Sequence, residues 1–255
     1  MENPDFSYLR PYKVEYFYKY RSLKSRGLER VFNNREIFLA NPRTFNDPFE
    51  SRPNVTVHSS SIKKELFFKQ AIRRNFPNSD RKQKREILSK SRRAAARDKE
   101  YYHKAFDDVI KGFGVYCLSE KREDILMWSH YADAHYGLCL EFNAWPGSLF
   151  WEAYKVSYQR GYPIVNVMDI GNPEALRLIV LTKSVHWEYE QEWRIVQLEY
   201  DRGSGYRSFS PDLLTGVILG ALMEDADKNT VLTGLSIIQL KSRHIKPSST
   251  KQNMN

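Results

Sequence analysis

The residues best suited to chemistry are two glutamates, Glu190 and Glu192, which flank Gln191 and precede an apolar run. That run predicts a strand, and because strand side chains alternate, the two carboxylates are expected on one face. Such a pair suits a reaction that passes through a sugar cation. One carboxylate stabilises the developing positive charge, and the other orients or deprotonates the attacking group. The alternative is a solvated strand face on which one glutamate pairs with Arg194.

The elements around this motif predict an α+β fold in one domain, residues 1–255. Short extended runs fill the first sixty residues, a helical insert spans residues 61–110, and strands alternate with short helices after it. No glycine-rich turn of the Rossmann or P-loop type is present, so a nucleotide would have to bind without those motifs. The tail, residues 246–255, is expected to fray.

Five landmarks carry a resemblance to a known family. They are YKYRS (Tyr18 to Ser22), FNDPFE (Phe45 to Glu50), VYCLSE (Val115 to Glu120), MWSHYADAHYGLCLEF (Met127 to Phe142) and HWEYEQEWRIV (His186 to Val196). Together they resemble the bacterial family described as domain of unknown function 2971. The resemblance covers most of the chain except the insert and the tail, and it implies little about function.

The same landmarks, in the same order, resemble the ADP-ribosyltransferase pattern of a first-strand Arg, a middle-strand Ser and a late Glu-x-Glu strand. The resemblance implies an ADP-ribosyltransferase-like split β-sandwich with flanking helices, and NAD as substrate. It assigns the NAD pyrophosphate to Arg21, whose guanidinium fork can bind it bidentately. Ser119 would hold the catalytic Glu or the nicotinamide ribose in register. Glu192 would be the catalytic glutamate, and Glu190 would position the acceptor.

The first strand also offers alternatives to Arg21. Lys19 or Tyr20 could take the position that a His holds in the other branch of the superfamily. The rings of Tyr18 and Tyr20 are candidates for the cofactor pocket, because flat rings stack on nicotinamide or adenine. Most aromatic residues at strand spacing belong to a core, however. No metal site is expected, because the cysteines and histidines do not show the spacing of a metal site and no compact cluster of Asp and Glu does either.

The helical insert carries the positive charge of the chain. Residues 61–104 hold fifteen Lys and Arg against five Asp and Glu, a net charge of +10, whereas the whole chain has +9. Such a cluster indicates binding to the phosphate backbone of RNA or DNA, with RNA favoured, although an acidic protein such as an antitoxin fits nearly as well and a solvated helix face is the alternative. The candidate contacts are Arg81, Lys82, Lys84, Arg85, Arg92, Arg93 and Arg97.

The function expected from these features is NAD-dependent mono-ADP-ribosylation of a macromolecule, most plausibly RNA. The resemblance adds a context, the toxin of a bacterial defence or toxin–antitoxin system. Two alternatives remain open: a non-catalytic nucleic-acid-binding or sensor protein, and an NAD glycohydrolase with water as acceptor. A cytoplasmic protein without a membrane partner is expected, because no apolar run reaches the roughly 20 residues of a membrane span and only Cys117 and Cys139 are present.

Overall fold

A seven-stranded sheet organises the chain in the computed structural model, which describes residues 14–47, 50–57, 60–97, 100–169, 173–198, 203–236 and 245–247. The strand order is β13-β12-β5-β1-β4-β10-β6, and every pairing in this sheet is antiparallel except β12 with β13. Its strands are β1 (Tyr16–Arg21), β4 (Gly114–Ser119), β5 (Leu138–Asn143), β6 (Tyr154–Lys155), β10 (Glu192–Gln197), β12 (Leu214–Leu219) and β13 (Ile245–Pro247).

Within the described ranges, three two-stranded ribbons accompany the sheet. One is antiparallel, β2 with β11, and two are parallel, β3 with β8 and β7 with β9. Their strands are β2 (Glu36–Leu39), β3 (Asn54–Thr56), β7 (Ser157–Gln159), β8 (Ile164–Asn166), β9 (Thr182–Ser184) and β11 (Gly205–Ser208).

Along the described chain, the α-helices alternate with these strands, and three of the helices form the insert. The insert helices are α2 (Ser61–Asn75), α3 (Arg81–Arg97) and α4 (Glu100–Lys111). The others are α1 (Leu28–Asn33), α5 (Ile125–Tyr131), α6 (Pro173–Val180) and α7 (Asp225–Ser236). Helices segregated around a mostly antiparallel sheet make the fold α+β, as the sequence predicts.

The two faces of the central sheet are covered differently, because successive strand residues point to opposite sides. One face carries Phe17, Leu118 and Trp193 into the main apolar core, and the rings of Phe17 and Trp193 lie 5.2 Å apart. The other face carries Tyr20, which packs edge-on against Trp128 of α5 with ring centroids 5.1 Å apart. The glutamate motif lies on this second face.

A second apolar core joins the insert to the rest of the chain. Phe67 and Phe68 of α2 and Phe106 of α4 pack with Val165 of β8 and Ile179 of α6. Three helices that share one core with β8 and α6 are held in a fixed position relative to the strands. The insert therefore presents its charged side chains from a packed base.

Several element boundaries differ from the sequence predictions. Residues 153–158 do not form one strand, because they divide between β6 and β7. Lys246 and Pro247, placed in the fraying tail by the sequence, pair with β12 as part of β13, and residues 248–255 lie outside the described part of the chain. The apolar run of residues 235–242 predicts a strand, but Leu235 and Ser236 belong to the end of α7, and residues 237–244 lie outside the described part of the chain.

Candidate functional site: a buried ion cluster beside a cleft

Three adjacent strands bring the motif residues of the sequence into one row. Ser119 of β4 is the direct partner of Tyr18 in β1 and of Glu192 in β10. Directly opposed residues share a face, so all three lie on the face covered by α5. Ser119 and Glu192 are buried and Tyr18 is half-buried. Burial, followed by the charge of Glu141, raises the pKa of the Tyr18 phenol to about 12.

Glu190 differs from its predicted position. It is the last residue of a 3-10 helix, Val185–Glu190, and β10 begins only at Glu192. Between them Gln191 adopts the left-handed conformation, with φ of 43°, which interrupts the strand alternation. The two carboxylates nevertheless come together, because both accept a hydrogen bond from the same side chain, Lys183.

Lys183 of β9 lies among three carboxylates. Its Nζ is 2.5 Å from Glu190 Oε2, 3.0 Å from Glu192 Oε2 and 3.9 Å from Glu50 Oε2. All four residues are buried. Tyr131 of α5 donates its hydroxyl to the other oxygen of Glu190, at 2.7 Å.

Arg194 completes the ion cluster from two residues along β10. Its Nε donates to Glu192 Oε1 at 2.8 Å and its Nη2 donates to Glu192 Oε2 at 2.9 Å, a bidentate pair. Nη2 also pairs with Glu50 Oε1, and Nη1 donates to the Val180 carbonyl at 2.6 Å. Arg194 has no exposed surface. Three carboxylates and two cations therefore share one buried site, which is called the ion cluster below.

The three carboxyl groups of the ion cluster have pKa values shifted in different directions. Burial alone would raise the pKa of Glu192, but the attraction of Arg194 and Lys183 outweighs it and holds that pKa well below its usual value. Burial prevails at Glu50 and at Glu190, and the pKa of each is raised. Glu192 is consequently the carboxylate that stays ionised most firmly.

The hydroxyl of Ser119 holds the backbone next to this cluster in place through two hydrogen bonds. Its hydroxyl donates to the carbonyl oxygen of Glu190 at 2.6 Å and accepts the N–H of Lys121 at 3.0 Å. The hydroxyl thus ties the end of β4 to the last residue of the 3-10 helix that precedes β10. Tyr158 adds a second tie, because its hydroxyl accepts the N–H of Glu192 at 2.8 Å.

Arg21 does not join the row. It pairs with Leu138 of β5, and the alternation of β1 directs it to the same face as Phe17, opposite Ser119 and Glu192. Its Nη2 donates to the carbonyl of Arg26 at 2.5 Å. The structure therefore does not bring Arg21 to the other motif residues, because it lies an odd number of residues from Tyr18.

Tyr20 and Lys19 are also not placed to contact a cofactor. Tyr20 faces α5, but it is buried, and its hydroxyl donates to the Lys121 carbonyl at 2.8 Å. Its ring is part of the core between sheet and helix. Lys19 donates to the carbonyl of Cys117 at 2.7 Å and belongs to the opposite face. Of the first-strand candidates, only Tyr18 combines partial exposure with a position in the row.

A cleft of about 230 Å³ opens next to the ion cluster. Its lining includes buried Glu50 and Lys183, so the cluster forms part of its wall. Exposed Arg52 and Arg160 also line it, together with Ser51. Of the ion cluster, only Glu50 and Lys183 belong to the lining, and Glu192 lies behind Lys183 at 3.0 Å from its Nζ.

The basic candidates of α3 lie on the surface of the insert. Arg81, Lys82, Arg85 and Arg93 are exposed, and Lys84 is partly covered. Arg92 pairs with Glu65 of α2. Arg97 ends the helix, and its side chain lies outside the described part of the chain. Because Arg81, Arg85 and Arg92 are spaced i, i+4 and i+11, they lie along one side of α3.

Three partners in the ion cluster were not singled out from the sequence as site residues. Glu50 ends the FNDPFE landmark, and Lys183 follows the apolar run Leu178–Leu181. Lys183 stands two residues after that run, and a lysine is almost never fully buried unless it is paired with a carboxylate. Arg194 was expected only as a surface partner of the glutamates. The pairing with Glu192 exists, but it is buried rather than solvated.

Comparison of the chain with protein-family models, with curated proteins and with solved structures returned no match. The two resemblances drawn from the landmarks therefore stay predictions. Within the described residues, no helix has the length and apolar character needed to cross a membrane. In that same part of the chain, no three His, Cys, Asp or Glu side chains are grouped as a metal site.

Proposed function

We propose that the protein is an NAD-dependent mono-ADP-ribosyltransferase of the ADP-ribosyltransferase-like fold, with Glu192 as its catalytic glutamate and RNA as the favoured acceptor. The observation that carries the proposal is the row Tyr18, Ser119 and Glu192 on three adjacent strands. The Ser119 and Glu192 of the resemblance are thereby neighbours in space, whereas the first-strand residue beside them is Tyr18 and not the expected Arg21. The two free thiols, Cys117 and Cys139, fit the cytoplasm as the place of action.

The electrostatics of Glu192 suit this role. A carboxylate that stabilises a ribosyl cation has to be ionised when the nicotinamide leaves. Arg194 and Lys183 supply that condition, since they hold the pKa of Glu192 below its usual value. The bidentate grip of Arg194 also fixes the orientation of the carboxylate before substrate arrives.

Reaction at Glu192 requires the side chain of Lys183 to move. Both oxygens of Glu192 already accept hydrogen bonds, Oε1 from Arg194 and Oε2 from Arg194 and Lys183. A ribose hydroxyl can reach Oε2 only when Lys183 releases it. Lys183 lines the cleft and has Glu190 as a second partner at 2.5 Å, so it can swing and still remain paired with a carboxylate.

The acceptor would be supplied by the insert. Exposed Arg81, Lys82, Arg85 and Arg93 on α3 form a cationic side that suits a phosphate backbone. Tyr101 lies at the start of α4, beside α3, and offers a half-buried ring. An RNA bound to α3 would release counterions whatever its sequence, so the insert would give affinity and the cleft would select the acceptor atom.

A second candidate function is supported by the saturation of the ion cluster. With both oxygens of Glu192 occupied and its side chain buried, the cluster can equally serve to fix β9 and β10 while α3 alone binds nucleic acid. This non-catalytic alternative predicts RNA binding that depends on salt and is indifferent to NAD. It keeps the role of α3 and removes that of Glu192.

The test is incubation of the protein with NAD labelled in its adenylate phosphate, together with separate RNA, DNA and protein fractions of bacterial cells. Label in RNA supports the proposal as stated, and label in DNA or protein keeps the transferase but replaces the acceptor. Free nicotinamide without a labelled macromolecule replaces the transferase by a glycohydrolase. No consumption of NAD contradicts the proposal and leaves the nucleic-acid-binding alternative.

A further inference from the structure

Ser51 is an unusual residue in the wall of the cleft. It is 4% exposed, and its Oγ has no hydrogen-bond partner among the described residues. A buried hydroxyl without a partner costs about 1–3 kcal/mol. Ser51 also has φ of 54°, in the left-handed region that a serine adopts only with strain. Strain and an unsatisfied polar atom at one residue of a cleft are typical of a site that is completed by a ligand.

Two arginines stand at the mouth of the same cleft. Arg52 and Arg160 are exposed, and neither makes a hydrogen bond or an ion pair with any described residue. Among the charged lining residues, Lys183 is already paired with Glu190 and Glu192, so outside the ion cluster Arg52 and Arg160 face Asp47. The buried carboxylate of Glu50 is already paired with Arg194 and lies near Lys183. The charge available to a ligand is therefore positive, and guanidinium forks are suited to phosphate oxygens.

The rim beside Arg160 is open and carries an aromatic ring. A Cβ at Gly161 would meet no heavy atom within 4 Å, so the rim leaves space there. Tyr162 follows, 48% exposed, and also lines the cleft. An exposed ring next to two arginines is a surface on which a base can stack while the arginines hold its phosphates.

We infer that this cleft is a nucleotide-binding subsite in which Arg52 and Arg160 hold the phosphates, Ser51 Oγ hydrogen-bonds a phosphate oxygen and Tyr162 stacks on the base. The volume of about 230 Å³ lies below the roughly 300–1,000 Å³ of pockets for drug-sized ligands, so the enclosed part suits phosphates rather than a whole dinucleotide. Nucleotide binding stands on these residues alone. That the nucleotide is the ADP half of NAD rests on the proposed function, and it gives the pyrophosphate a place that Arg21 does not provide.

Calorimetric titration with ADP, pyrophosphate and adenosine tests the subsite. ADP is expected to bind more tightly than either fragment, because it alone offers both phosphates and a base. Arg52→Gln and Arg160→Gln should each weaken ADP binding about 10-fold or more, the effect of one charge-assisted hydrogen bond. Tyr162→Leu should weaken ADP binding and leave pyrophosphate binding unchanged. Arg26→Gln, an exposed arginine beyond the end of β1, is the matched control and should bind as the unaltered protein does.

Equal ADP affinity in Arg52→Gln, Arg160→Gln and the control would overturn the subsite, as would adenosine that binds as tightly as ADP. Failure of the subsite and failure of the transferase are distinguishable. ADP binding that depends on both arginines, without any release of nicotinamide from NAD, keeps the subsite and removes the transferase. Transfer of label from NAD to a macromolecule, with an unchanged KM for NAD in both arginine variants, keeps the transferase and removes the subsite.

Discussion

Arg194 binds both carboxylate oxygens of Glu192 from two positions along the same strand, through Nε at 2.8 Å and Nη2 at 2.9 Å. The pair lies in the interior, with Lys183 on its other side. A buried ion pair is costly to break on one side only, because the remaining charge stays buried without its partner. This relationship governs both the stability of the fold and the chemistry proposed for Glu192.

Replacing Glu192 by Gln should destabilise the fold by about 3–5 kcal/mol at neutral pH, since Arg194 and Lys183 lose the charge they share. Glu190→Gln should cost much less. The pKa of Glu190 is raised by burial, so its charge is poorly accommodated even in the folded chain. Urea denaturation of the three proteins measures both differences. Equal destabilisation in the two variants would contradict the unequal roles assigned to the glutamates.

The same pair predicts a dependence on pH. The folded pKa of Glu192 is depressed below its usual 4.5, so the stability it contributes is complete above that value and is lost as the pH falls through the folded pKa. The raised pKa of Glu190 acts in the opposite sense, because stability falls as the pH rises from 4.5 through its folded pKa. The free energy of unfolding that Glu192→Gln loses relative to the unaltered protein should therefore become smaller below about pH 4.5. Denaturation curves from about pH 3 to about pH 8 check this, and a deficit independent of pH would count against it.

Two substitutions of Ser51 separate its effect on the stability of the fold from its effect on ADP binding. Ser51→Gly removes the unsatisfied hydroxyl and permits φ of 54° without strain, whereas Ser51→Ala removes the hydroxyl and keeps the strain. The glycine variant should be more stable than the alanine variant by about 1 kcal/mol, a rise in Tm of about 2–4 °C. Both should bind ADP more weakly than the unaltered protein. Thermal melts with and without ADP measure the two effects, and unchanged stabilisation by ADP would remove Ser51 from the subsite.

The cationic side of α3 predicts a specific change in salt dependence. Arg81→Gln with Arg85→Gln should weaken binding of single-stranded RNA and flatten the plot of log affinity against log salt concentration by about 1.4, because each phosphate that is no longer neutralised lowers the slope by roughly 0.7. Lys228→Gln, a lysine of α7 on another part of the surface, is the control and should leave the slope unchanged. Fluorescence anisotropy at several salt concentrations measures the slope. A slope equal in both variants would show that α3 is only a solvated face.

The fold class and the strands that carry Ser119 and Glu192 are predictable from the sequence, whereas the face taken by Arg21 and the partners in the ion cluster are not. Ser119 and Glu192 lie in strands that the apolar patterns predict well, so their pairing follows once β4 and β10 are neighbours. The conformation of Gln191 has no such signal, because one residue in the left-handed conformation reverses an alternation that the pattern takes as continuous. Glu50 contacts Arg194 across 144 positions of sequence. A contact of that separation has no periodicity and is set only by tertiary packing.

The measurement that tests the role of Glu192 most directly is the rate of nicotinamide release from NAD by the unaltered protein, by Glu192→Gln and by Glu120→Gln. Glu120 follows Ser119, pairs with Lys155 and accepts the indole N–H of Trp193 on the opposite face, so its variant removes a partly exposed, ion-paired glutamate outside the ion cluster. All three are compared at a temperature where circular dichroism shows them folded. We expect release by the unaltered protein and by Glu120→Gln, and a loss of about 100-fold or more in Glu192→Gln. Release by Glu192→Gln at the rate of the unaltered protein, or no release by any of the three, would contradict the proposed catalytic role.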